Sequence, residues 1–162
     1  MANEFSTAGM TLKYCVETTA GARPTTGYTE IPEVKSMPSY GDEPNALQTT
    51  PLNATKYHTY IEGLRDPGGA IAFTVNDCPT FRTAWTTLIT AVAGLTGGKA
   101  CWFEICYPTA SSMDSFYFTG DPVALTFGGA EVDSVIENTA YIMPNTLGDP
   151  VFAAASTSGT TV

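Results

Sequence analysis

The sequence predicts a mainly β domain, a β-sandwich or half-barrel of about seven strands with one flanking α-helix. Three observations carry this expectation. Short runs rich in Val, Ile, Tyr, Phe and Thr recur along the chain, separated by Gly, Pro and Asn clusters. A single stretch, 76–98, switches to a helical period. No internal repeat or second shift in composition divides the 162 residues, a length that suits one domain with a proper core.

Taken in order, TLKYCVE (11–17) reads as a first strand, followed by the loop TTAGARPTTG. YTEIPEV (28–34) is a second strand, and Pro32 fits a sheet edge or a bulge because it has no N–H to give to a ladder. NALQTTPL (45–52) and YHTYIEGL (57–64) are further extended segments. The Asp-Pro-Gly-Gly turn that begins at Asp66 leads into the strand AIAFTVN, 70–76. Phe81, Trp85, Leu88, Val92 and Leu95 then fall at steps of four, three, four and three, which is one face of a helix. Asn76 or Asp77 is expected to cap it, Pro79 suits its first turn, and Gly94, Gly97 and Gly98 end it. Its other face carries Arg82, Thr83, Thr86, Thr87 and Thr90. Threonine is a mediocre helix former, so packing of Phe81, Trp85, Leu88 and Val92 on a sheet must hold the helix. ACWFEICY (100–107), SFYFTGDPVALTF (115–127) and EVDSVIENTAYIM (131–143) complete the strands, the last two as a hairpin through GGA. Residues 1–152 are expected to form one domain, and the small polar tail 153–162 to be mobile unless a neighbour orders it.

Segment 36–60 is too long and too apolar for an ordinary connection, since loops beyond about 12–15 residues are uncommon in compact domains. It carries Met37, Tyr40, Leu47, Leu52, Tyr57 and Tyr60, which a solvated loop would not need.

Charge narrows the function. Only 14% of residues are charged, against about 25% typically, as suits an assembly subunit whose surface is covered. The net charge is −9, and beyond Lys99 come Glu104, Asp114, Asp121, Glu131, Asp133, Glu137 and Asp149 with no basic residue. A nucleic-acid binder shows the opposite sign. Along the expected hairpin, one parity groups Glu131, Asp133 and Glu137 on one face, and Asp121 joins them from the partner strand. A face of one sign suits a surface that repels polyanions. No apolar run is long enough for a membrane helix and no leader is evident, so synthesis in a cytoplasm is expected. Cys15, Cys78, Cys101 and Cys106 lack metal-ligand spacing and read as core thiols. His58, the only histidine, has no nucleophile or orienting carboxylate in a motif around it. The glycine pairs are turn chemistry, and the acidic pair Asp42–Glu43 is a weak cation contact. No catalytic residue, cofactor or metal is therefore expected.

Several pieces occur in a recognisable order: Tyr-x-x-Glu-Thr-Thr at Tyr14 to Thr19, Arg23–Pro24, Ile31–Pro32, and Gly-x-Glu-Pro at Gly41 to Pro44. A threonine-rich strand at 48–50 and Gly-Leu-x-Asp-Pro-Gly at Gly63 to Gly68 follow. In this order the sequence resembles the major tail tube protein of long-tailed (siphovirus-type) bacteriophages, although Glu62 stands where that family commonly has proline. The resemblance implies a β-sandwich whose inner sheet joins a ring-wide β-barrel. Hexameric rings of such subunits stack into a tube in the virion, assembled in the host cytoplasm. It implies a long inter-ring loop, here 36–60 with Met37, Tyr40, Asp42, Glu43, Leu47, Leu52 and Tyr57. It implies a lumen that holds DNA and tape-measure protein without sequence-specific binding, lined here by Glu30, Glu33, Asp121, Glu131, Asp133 and Glu137. Tail tip or baseplate and tail terminator proteins would be the end partners, with no membrane partner. Two alternatives stand beside it: the tube subunit of a contractile injection or type VI secretion machine, and a β-sandwich module that binds carbohydrate or protein.

Overall fold

A computed structural model describes residues 4–41, 43–66 and 68–157, with residues 43, 65 and 66 described in backbone only. The strands are β1 (Thr11–Val16), β2 (Thr29–Ile31), β3 (Val34–Ser36), β4 (Glu43–Gln48), β5 (Tyr60–Asp66) and β6 (Ile71–Asn76). After the helix α1 (Pro79–Ala93) come β7 (Cys101–Cys106), β8 (Ser115–Pro122), β9 (Glu137–Pro144) and β10 (Val151–Ala153). One sheet runs β2-β1-β7-β8-β9-β6-β3, with β10 also paired to β8, while β4 and β5 form a separate two-stranded ribbon. The fold is thus mainly β, a curled seven-strand half-barrel with one helix.

The curl follows from the chain order. β2 and β3 sit at opposite ends of the sheet yet are separated only by Pro32 and Glu33. The single strand expected over 28–34 is therefore broken at Pro32, and its halves pair with β1 and β6. Proline cannot continue the ladder. Glu33 then turns the corner with a left-handed φ of 64°, its carbonyl accepting from the Asn76 N–H at 3.0 Å and its carboxylate from Asn76 Nδ2 at 3.1 Å.

Alternation places Leu12, Tyr14, Phe73, Val75, Phe103, Phe118, Ala140 and Ile142 inside the curl. The helix adds Phe81, Trp85 and Leu88, all buried, and Val92, which is partly buried against them. Its N-terminus departs from expectation. Cys78 is the N-cap residue and makes no side-chain cap. The Asp77 carboxylate is occupied by Arg82, whose Nε and Nη2 donate to it at 2.5 and 2.7 Å. The exposed threonines close on the helix itself, Thr86, Thr87 and Thr90 each donating to the carbonyl four residues back.

The expected hairpin 115–127/131–143 is much shorter. β8 stops at Pro122 and β9 starts at Glu137, pairing only over Gly120↔Pro144, Asp121↔Met143 and Pro122↔Ile142. Side chains of the helix and of β9 itself take up the carbonyls that a longer ladder would use. Trp85 Nε1 donates to the Val123 carbonyl at 2.9 Å, and Asn138 Nδ2 donates to that of Thr126 at 2.7 Å. Residues 123–136 are consequently a loop.

The opposite face of β1, β7 and β8 is not open to solvent. Glu104 and Tyr117 lie on it as register partners and are fully buried. They are covered by loop 17–28 and by the chain's own C-terminal segment. Ser156 donates to the Glu104 carboxylate from both its N–H (2.9 Å) and its hydroxyl (2.5 Å). The Tyr117 hydroxyl lies within donating distance of Glu104 (3.0 Å) and of the Ala154 carbonyl (2.7 Å). The Arg23 guanidinium stands 4.2 Å from the centre of the Tyr117 ring. Residues 153–157 are therefore tied down by their own chain, contrary to the mobile tail expected from 153, and 158–162 lie outside the described residues. A second buried acid, Glu17, accepts from Trp102 Nε1 (2.8 Å), the Ala100 N–H (3.1 Å) and the Gly21 N–H (3.0 Å).

Burial pushes both carboxyls up, yet the hydrogen bonds to the ionised form outweigh it and hold Glu17 and Glu104 below the ordinary glutamate value of 4.5. A group depressed in the folded state contributes stability that is present above its unfolded pKa and lost as pH falls through the folded one. The urea midpoint should therefore hold near neutrality and fall steadily below about pH 4.5. Glu17→Gln should flatten that fall, and a midpoint unchanged between neutral pH and pH 3 would refute the linkage.

Candidate assembly surfaces

β4 and β5 leave the domain as an arm. Leu47 faces Ile61 and Gln48 faces Tyr60, with a register shift between Pro44 and Ala46. Gly63 makes the pairing possible, since a Cβ there would stand 2.9 Å from the Asn45 carbonyl and 3.1 Å from Leu47. Threonines organise the tip. The Thr49 N–H donates to the Thr59 carbonyl at 2.8 Å, and the Thr59 N–H donates to Thr50 Oγ1 at 2.9 Å. The His58 ring is held 2.8 Å from Gln48 Nε2, so the lone histidine is a bracing group of the tip.

Among the described residues, the arm's large apolar side chains are left largely uncovered. Leu52, Tyr57 and Leu64 are 108%, 84% and 92% exposed, and Leu47, Tyr60 and Ile61 are about half exposed. A two-stranded ribbon is marginal by itself in water, and this one presents apolar side chains besides. Two residues expected to belong to it do not. Met37 is partly buried against the core, and Tyr40 stacks on Phe118 with ring centroids 5.3 Å apart. Both precede the arm and pack on the domain, so a neighbouring molecule is not needed to bury them. Asp42 and the side chain of Glu43 lie outside the described residues.

Loop 123–136 is a second exposed apolar surface, where the sequence predicts strand up to 127 and again from 131. Phe127, Val132, Val135 and Ile136 are 86%, 99%, 69% and 66% exposed. Gly128 and Gly129 mark a turn in either reading, and Asp133, at a left-handed φ of 59°, is the residue that breaks the expected second strand.

The acidic residues separate into three settings. Direct partners in an antiparallel sheet share a face, as do residues two apart on one strand. By that rule Glu30, Asp121 and Glu137 all lie on the non-core face of the curled sheet. Glu33 is in the corner turn, while Glu131 and Asp133 are in the loop, Asp133 at a φ of 59°. No strand parity groups 131 and 133 with 137. Nor is the face of one sign: Lys13 lies between Glu30 and Glu104, and Lys35 forms an ion pair with Glu137. A reading confined to the hairpin could not see these partners, because they come from the first strands of the chain. Among the described residues, Asp121 accepts from Asn145 Nδ2 at 3.3 Å.

Among the described residues, no group of three or more His, Cys, Asp or Glu side chains is placed to hold a metal ion, and no helix is long and apolar enough to cross a membrane. All four cysteines are free thiols.

This architecture is found in subunits of phage-like tails and injection particles. A chain from the anti-feeding prophage baseplate, solved with six-fold symmetrisation, matches with a TM-score of 0.64 over 97% of this chain and 100% of that one, at 9% identity. A chain from the PVC sheath/tube terminator of an extracellular contractile injection system in the extended state matches at 0.58, covering 94% and 100% at 10% identity. One from the tail of an empty GTA particle with C6 symmetry matches at 0.55, covering 90% and 96% at 11% identity. At these identities the likeness is one of fold. No family model matches the sequence, and no curated protein does.

Proposed function

We propose that the chain is the structural, non-catalytic subunit of a bacteriophage-type tail tube. Six copies close into a ring, rings stack, and each arm crosses to the next ring. The observation that carries this reading is the arm itself, which presents Leu52, Tyr57 and Leu64 to solvent on a ribbon too weak to stand alone. The six-fold particles that contain chains of this fold support the ring. Head-to-tail contacts between unlike patches close into rings, and joining sheets between subunits removes the edge-strand liability of β2 and β3.

The uncovered margins of the non-core face, with Glu30 on β2, Asp121 at the end of β8 and Glu137 on β9, then line the channel, through which DNA and tape-measure protein pass. DNA carries one charge per roughly 1.7 Å of axis, so a basic wall would hold it at every ring. Lys13 and Lys35 temper the acidity, which leaves Asp121 as the main exposed carboxylate of β8. Asp121→Lys should leave tubes intact and slow genome delivery, and a mutant particle that ejects DNA at the normal rate would refute the lining. Tail tip or baseplate and terminator proteins would bound the tube in the virion, assembled in the host cytoplasm.

A second reading is favoured by the baseplate and terminator particles among the similar structures: a single ring that begins or ends a tube, including that of a contractile machine. Electron microscopy of the purified protein at high concentration separates the two. Long tubes support the first and isolated rings the second. A monomer at all concentrations rules out both.

A further inference from the structure

The arm and loop 123–136 are complementary in charge as well as in apolar exposure. From Thr49 to Ile61 the arm tip has no acidic residue, and Lys56 stands there beside Tyr57. Three other bases are engaged, Lys35 with Glu137, Arg82 with Asp77, and Arg23 over Tyr117, while Lys13 and Lys99 are half-buried. Lys56 is exposed and has no ion-pair partner among the described residues. In the loop, Glu131 and Asp133 are exposed carboxylates with no basic neighbour in sequence. A groove of about 500 Å³ opens there, lined by Gly129, Glu131, Ser134, Val135 and Glu137.

We infer that this groove receives the arm tip of a second copy, with Lys56 of one subunit against Glu131 of the next and Tyr57 against Val135. The inference rests on the tube reading and specifies its stacking contact. A cation flanked by an aromatic residue meets an anion flanked by aliphatic ones, and the two patches differ, so the contact propagates head to tail. Glu131 is thereby assigned to a subunit interface and not to the channel. A charge at such a contact selects the register, because like charges placed there repel while unlike charges steer encounter.

The test is a charge-swap cycle read by the concentration at which assembly begins. Lys56→Glu should raise that concentration by at least about tenfold, and adding Glu131→Lys should restore it. Circular dichroism checks that each variant is folded, which the exposure of both side chains favours. Zero-length carbodiimide coupling of wild-type assemblies should join Lys56 to Glu131 of another copy. Tubes that form from Lys56→Glu at the wild-type concentration would overturn the contact but leave the tube reading intact. So would coupling of Lys56 only to carboxylates outside the loop. A wild-type protein that never assembles would remove both.

Discussion

Excising 43–66 and bridging the gap with a short Gly-Ser linker is expected to leave a folded domain that no longer forms tubes. The cut ends are close, because Glu43 and Asp66 are register partners at the base of the arm. The excision spares Met37 and Tyr40, which pack on the core, and the main sheet contains neither β4 nor β5. Removing exposed surface away from such features typically changes stability little. Thermal unfolding should therefore stay close to wild type while electron microscopy shows monomers or single rings. Long tubes from the excised protein would show that the arm is dispensable, and loss of the fold would show that it supports the domain. An excision begun at 38 would be a poorer test, since it would also remove Tyr40 from its stack on Phe118.

Trp85→Ala should have the largest effect of any single substitution on the fold, a loss of roughly 3 to 5 kcal/mol from the transfer and cavity terms together. Trp85 is 2% exposed, stacks on Phe81 with centroids 5.6 Å apart, and donates to the Val123 carbonyl. Its loss thus empties the helix–sheet contact and frees the point at which loop 123–136 leaves β8. Net stabilities of domains are about 5 to 15 kcal/mol, so such a loss threatens folding. Thr87→Ala, on the exposed face of the same helix, is the control and should be nearly silent in denaturant melts. Equal losses from both would mean that the helix presents another face to the sheet.

Where local periodicity and structure agree, the reason is that burial acts on each element separately. The steps of Phe81, Trp85 and Leu88 placed α1, and the apolar runs at 70–76 and 100–107 placed β6 and β7 to within a residue at each end. The arm was legible as a segment with apolar side chains and no place in the domain. Its limits were not, because Tyr40 and Leu47 look alike in sequence although one stacks in the core and the other meets solvent.

By itself the sequence determined a mainly β domain with one helix, an apolar excursion needing cover, and an acidic C-terminal half. Only the tertiary structure decided which acids share a surface. Glu104 and Glu17 are satisfied in the interior by Ser156 and Trp102, more than fifty residues away, and Lys35 reaches Glu137 from the other end of the sheet. Glu131 and Asp133 left their expected strand because Trp85 and Asn138 took up the carbonyls of 123 and 126. Alternation along a strand fixes sides only as far as the strand lasts, and how far it lasts is set by hydrogen-bond partners that the pattern of apolar residues does not show.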